Sequence, residues 1–126
     1  FFFEPRADGR YYNVESTCIG KIYMCCGPDR ISRTFLPDGA YMGIRRISSL
    51  GSVPVGLKSG PLEWSLRLDI PASTFGLETF RGLRAKGNFY KCGDKLPVRH
   101  FLSWAPVNTP RPDFHRPEFF DELNFE

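Results

Sequence analysis

The sequence predicts an all-β fold, a β-sandwich or jelly roll, on three observations. Short runs of alternating apolar and polar residues recur at roughly ten-residue spacing. The 126 residues include 12 glycines and 11 prolines, which demands many turns. Helical signals are confined to single turns.

Taken in order, Phe1–Glu4 reads as extended chain, and Asp8-Gly9 then marks a hairpin into the next strand. That strand, Arg10–Ile19, sets Tyr12, Val14, Ser16 and Cys18 against Tyr11, Asn13, Glu15 and Thr17. Gly20 interrupts it, and Lys21–Cys26 resumes as the following extended run. Gly43–Ser48 is a further candidate. The cleanest alternation is Glu63–Ile70, with Trp64, Leu66, Leu68 and Ile70 on one face and Pro71 as its stop. Pro71–Phe75 forms one helical turn. Leu83–Lys91 and Arg99–Trp104 are strands separated by a turn at Gly93-Asp94 and Pro97. The proline-rich stretch from Pro106 to Pro117 reads as a loop pinned to a surface, because aromatic residues punctuate it. Pro117–Leu123 begins with a proline suited to the first helical position, and Leu123–Phe125 closes the chain as a strand.

A chain of this length holds one domain, residues 1–126, with room for one core. Aromatic residues make up 15% of it, so they carry much of that core. The 17 Lys and Arg against 14 Asp and Glu leave a net charge of +3, too balanced to argue for nucleic acid. No run approaches the ~18 apolar residues of a membrane span. Phe1-Phe2-Phe3 at the start, without Met or a polar lead-in, reads as a strand entered from upstream. The expectation is therefore a domain lacking its N-terminal part, together with any targeting signal. Such a domain would leave Phe1, Phe3, Trp64 and Leu66 uncovered, and would pair with the missing segment or with a second copy. Cys18, Cys25, Cys26 and Cys92 match neither metal-knuckle spacing nor a dense disulfide scaffold, and read as small buried hydrophobes with one disulfide left open.

No catalytic motif stands out, and paired carboxylates for glycoside hydrolysis are left open because only their spatial separation decides. No G-x-S-x-G or glycine-rich phosphate loop occurs. In Asp113-Phe114-His115-Arg116-Pro117-Glu118, the proline prevents the helix that would align His115 with Glu118 on a metal, so His115 is expected to cap or pin the loop. A binding surface is easier to assemble. Tyr11, Asn13 and Glu15 share one polar strand face, and Arg84, Lys86, Asn88 and Tyr90 share another. Amides, carboxylates, guanidinium groups and aromatic rings together are what sugar recognition uses: polar partners for hydroxyls, a ring plane for the C–H face. Trp64 is in register with Leu66 and Leu68 and is expected in the core. Trp104, at a strand end, is the expected ligand platform.

Gly87-Asn88-Phe89-Tyr90-Lys91-Cys92-Gly93-Asp94, His100-Phe101-Leu102-Ser103-Trp104-Ala105-Pro106 and Pro112-Asp113-Phe114-His115-Arg116-Pro117-Glu118-Phe119-Phe120 follow in order along the chain. Together they resemble the C-terminal signature of the family-9-like carbohydrate-binding modules, N-F-Y, S-W-x-P, then F-H-x-P-x-x-F-G-x-L-x-F. Asp121 stands where that pattern has glycine. Phe1–Pro5 and Tyr11–Glu15 resemble the family's middle strands, and Arg45-Arg46 with Ser48–Gly51 a run in bacterial members.

The resemblance implies a β-sandwich of jelly-roll type that binds carbohydrate without catalysis, in the company of polysaccharide-degrading enzymes such as xylanases. It implies structural calcium in many members, no required cofactor, and an extracellular or periplasmic place if a signal peptide preceded Phe1. The ligand-binding set so expected is Trp104, Tyr11, Asn13, Glu15, Arg45, Arg84, Asn88 and Tyr90. Family members clamp a chain end between two Trp, and here Trp104 alone is available for that role. The alternative is a scaffold or protein-interaction domain of the same fold that has lost its ligand.

Overall fold

The computed structural model describes residues 1–126 as an all-β sandwich. Its frame is a six-stranded antiparallel sheet in the order β10-β7-β1-β2-β3-β4. The strands are β1 (Phe2–Glu4), β2 (Tyr11–Ser16), β3 (Ile22–Gly27), β4 (Thr34–Phe35), β7 (Arg84–Asn88) and β10 (Asp121–Asn124). Two hairpins complete it: β5 (Arg45–Ser48) with β6 (Leu66–Asp69), and β8 (Tyr90–Gly93) with β9 (His100–Ser103). Short 3-10 turns at Asp38–Tyr41, Ala72–Phe75 and Pro117–Phe119 are the only helical elements, and none is long and apolar enough to cross a membrane.

The expected hairpin at Asp8-Gly9 is present. The Asp8 carboxylate accepts the Arg10 amide at 3.0 Å, and Gly9 takes φ +72°, which a side chain resists. β1 thereby returns antiparallel to β2 and, on its other side, pairs with β7. This central position explains the phenylalanines. Successive side chains of a strand point to opposite faces, and both faces are covered here, so Phe2 and Phe3 are both buried. Phe3 joins Val14, Met24, Ile44, Phe75 and Ala85 in the main core. Phe2 joins Tyr11 and Phe120 in a second cluster on the opposite face, with Tyr90 and Phe114 against it.

Several expectations are corrected. The run Leu83–Lys91 is two strands, not one, because the partners of β7 end at Asn88 and Gly87, and the chain turns at Phe89 to pair with β9 instead. Trp64 is not a core residue: β6 starts only at Leu66, and the ring is 40% exposed at the mouth of an apolar cleft of about 660 Å³. That cleft separates the β5–β6 hairpin from the main sheet, with Phe1, Leu66, Leu68, Phe89 and Leu123 among its walls. Phe3, expected to be uncovered, is enclosed by Phe75, Phe80 and Phe125. All four cysteines are free thiols, but only Cys25 is buried as expected: Cys18 and Cys26 are half-buried and Cys92 is exposed. β4 and the turn at Asp38–Tyr41 were not expected; two residues are too few to show a period.

Candidate functional site

On the face of the main sheet away from the cleft, strand register builds the polar surface. Asn13 stands opposite both Phe2 and Cys25, and Glu15 stands opposite Tyr23. Cys25 in turn stands opposite Phe35 of β4. Side chains directly opposite share a face, so Tyr11, Asn13, Glu15, Tyr23 and Phe35 line one surface.

The Pro106–Pro117 loop covers its Tyr11 end. His115 Nδ1 lies 2.8 Å from the Tyr11 hydroxyl, and its Nε2 lies 3.3 Å from an Arg33 guanidinium nitrogen. A guanidinium can only donate, so Nε2 accepts, and Nδ1 carries the proton and donates to the Tyr11 oxygen. Burial, reinforced by the positive charges of Arg33 and Arg30 and opposed by Asp113, pushes His115 down to about 4, so the ring is neutral near pH 7. Burial likewise raises Tyr11 to about 12. One residue pair along, the Asp113 carboxylate accepts from Arg30 and from the His115 amide. Burial works against the charged form, but these donors outweigh it and hold Asp113 below the usual carboxylate range. The loop is pinned through His115, as the sequence led us to expect.

Arg33 reaches this network because the β3–β4 connection folds tightly. The Asp29 carboxylate accepts the amides of Ile31 and Ser32 at 2.7 and 2.6 Å, a side-chain turn that reverses the chain. Gly27 then lies under Arg33, where a Cβ would sit 2.4 Å from the Arg33 Cα, so only glycine permits the approach. The Arg33 guanidinium lies 3.5 Å from Glu15 Oε1 and 5.8 Å from the centre of the Tyr23 ring. Asn13 donates to the same Glu15 oxygen at 2.9 Å, and its own Oδ1 is buried without a partner. Tyr23 and Phe35 meet edge to face at 4.9 Å and are 38% and 68% exposed.

The residues expected to bind ligand do not form one site. Asn88 is fully buried, and its amide is spent on backbone: Nδ2 donates to the Ala105 carbonyl and Oδ1 accepts the Ala105 amide, both at 2.9 Å. It clamps β7 to the chain leaving β9. Tyr90 stacks on Phe114 at 4.2 Å with its hydroxyl buried, and burial raises its pKa. Tyr11 and Asn13 are also buried, leaving Glu15 as the member of that strand face that meets solvent. Arg45 is committed to Asp69 on the separate β5–β6 hairpin. Arg84 lies at the far end of the sheet beside Glu4, Lys86 and Glu122. Trp104 is 53% exposed and stands edge-on to Phe89, whose ring stacks on Phe1 at the cleft, on the other side of the sheet from Tyr23.

Tyr23, Arg33 and Phe35 were not singled out from the sequence. A hairpin closing around Ile19 with Ser16 opposite Ile22 places Tyr23 opposite Glu15, so the signal for Tyr23 was present in the turn. Nothing local announced Arg33. Calcium takes six to eight oxygen ligands. No group of three or more Asp, Glu, His or Cys side chains comes together, so these residues do not fit a carboxylate calcium site.

The profile of carbohydrate-binding family 9 matches residues 1–125. Among solved structures, a candidate carbohydrate-binding protein from Bacteroides uniformis ATCC 8492 superimposes with a TM-score of 0.93 at 41% sequence identity. The match covers 99% of this chain and 59% of that one, so this chain spans less than two thirds of that protein's length. No curated protein shows significant sequence similarity.

Proposed function

The chain belongs to carbohydrate-binding family 9, and on that premise we propose that it recognises oligosaccharide without catalysis, in association with polysaccharide breakdown. The observation that carries the reading is the family match across nearly the whole chain. The chemistry of the polar face supports it, because an exposed aromatic pair there adjoins a carboxylate and a guanidinium.

Non-catalytic binding is also what the titratable groups favour. His115, held neutral, has both ring nitrogens committed to Tyr11 and Arg33 and is half-buried, so this histidine is not free to act as a general base. Isothermal titration calorimetry against xylo-, cello- and manno-series sugars tests the proposal. Saturable heats with at least one series are expected; silence across all of them overturns it.

One observation favours a second reading, a domain of the same fold without a ligand. Tyr11, Asn13, Asn88 and the Tyr90 hydroxyl are buried rather than displayed. On that reading the polar residues serve the fold alone, and the same titrations would be silent.

A further inference from the structure

Resting on the carbohydrate-binding reading, we infer that the sugar contacts the β2–β3–β4 end of the sheet, and that it is a neutral pyranose. Its C–H face packs on one ring of the Tyr23–Phe35 pair with the other ring flanking it, and a vicinal pair of its hydroxyls bridges Glu15 and Arg33. Four observations converge on this patch. Tyr23 and Phe35 are large aromatic side chains left open to solvent side by side, on an edge strand and its neighbour. Exposed aromatic surface of that kind is what releases water from the less polar face of a pyranose ring.

Glu15 and Arg33 supply the complementary pair for a diol, one accepting and one donating. At 3.5 Å their own contact is long, so hydroxyls can compete for it. Both groups are held from behind. Asn13, fully buried, fixes Glu15 at 2.9 Å, and His115 fixes Arg33, so little side-chain freedom is lost on binding. The unpartnered Asn13 Oδ1 lies on the same side chain, a buried polar atom that the fold alone leaves unsatisfied.

The charge of the patch decides the ligand class. Glu15, Asp113 and Asp29 face Arg33 and Arg30, so the patch holds no surplus positive charge. A uronate or sulfate ester would bring its negative charge against the carboxylates of Glu15 and Asp113, whereas a neutral sugar meets no such repulsion. Across the sheet, the cleft beside Trp64 and Phe89 is lined almost wholly by apolar side chains and offers no comparable polar pair.

Calorimetric titration of the 126-residue chain and its variants tests this, with cellobiose, xylobiose and mannobiose as neutral probes and glucuronic acid and glucose 6-sulfate as charged ones. Tyr23→Ala, Phe35→Ala and Glu15→Gln should each weaken binding of the neutral disaccharide about tenfold or more, with melting curves confirming the fold. Tyr23→Phe, which keeps the ring, should bind within about threefold of the parent. The charged sugars should bind at least tenfold more weakly than the neutral ones. If the parent binds a neutral sugar and all three variants bind equally well, the inference falls while the carbohydrate reading stands. Loss of binding in Trp104→Ala alone would move the site to the Phe89 side. Preference for a charged sugar overturns the assignment of ligand class. If the parent binds none of the probes, the carbohydrate reading itself falls and takes this one with it.

Discussion

Replacing Asn88 by leucine separates a structural residue from a ligand-binding one. The side chain has no solvent exposure, and both ends of its amide bond the Ala105 backbone at 2.9 Å, with a longer contact of 3.4 Å to the Phe119 carbonyl. Leucine has a similar volume but no polar atoms, so it strands the amide and carbonyl of Ala105, which is itself buried. Each stranded group costs about 1–3 kcal/mol, and burial of the leucine methyls returns part of this. The expected net loss is about 3 kcal/mol, a substantial fraction of the 5–15 kcal/mol that holds a domain folded. At about 4 °C per kcal/mol for a chain of this size, the melting temperature should fall by about 12 °C.

Asn88→Asp should lose at least as much, because a buried carboxylate has no donor to offer the Ala105 carbonyl. Thermal melts followed by circular dichroism, with urea midpoints at constant slope, read both variants. Sugar affinity, measured below the melting range, should be little changed. An Asn88→Leu protein that melts within 2 °C of the parent (roughly 0.5 kcal/mol) yet no longer binds sugar would refute the reasoning and return Asn88 to the ligand surface.

The neutral His115 predicts acid sensitivity. Its pKa is about 4 when folded, against an unfolded value near 6.5, so the unfolded chain binds more protons between these values and stability falls as pH drops through them. The loss is about 1–2 kcal/mol after discounting for solvent screening of a half-buried group. Urea midpoints from pH 7 to pH 4 should show it, and His115→Gln should flatten the profile. Gly27→Ala should cost about 1–3 kcal/mol by driving Arg33 off β3, and the Arg33–His115 contact should loosen with it, visible as a shifted His115 titration by NMR. Trp64→Ala should cost only about 1–2 kcal/mol, well below a buried tryptophan, because the ring is 40% exposed; an unfolded variant would mean the cleft is closed in solution.

Strands, turns and fold class were legible in the sequence because they depend on neighbours along the chain. Alternation at Tyr11–Glu15, Asp8-Gly9 at the hairpin and Pro117 at the last helical turn act within a few residues, and each has its place in the structure. The three phenylalanines at the start were readable as strand, though not as residues serving two cores, since that required a cover on each face. What the sequence could not reveal was which polar side chains remain in water. Tyr11 is sealed by His115, 104 positions away, and Asn88 by Ala105, 17 positions away, through loops whose return path no local pattern encodes. Trp64 and Trp104 show the same limit: alternation assigns a residue to a face but cannot say whether that face is covered. Arg33 meets Glu15 only because β4 folds back over Gly27. Local propensity therefore determined the elements, and long-range packing decided which of their side chains were left free to meet a ligand.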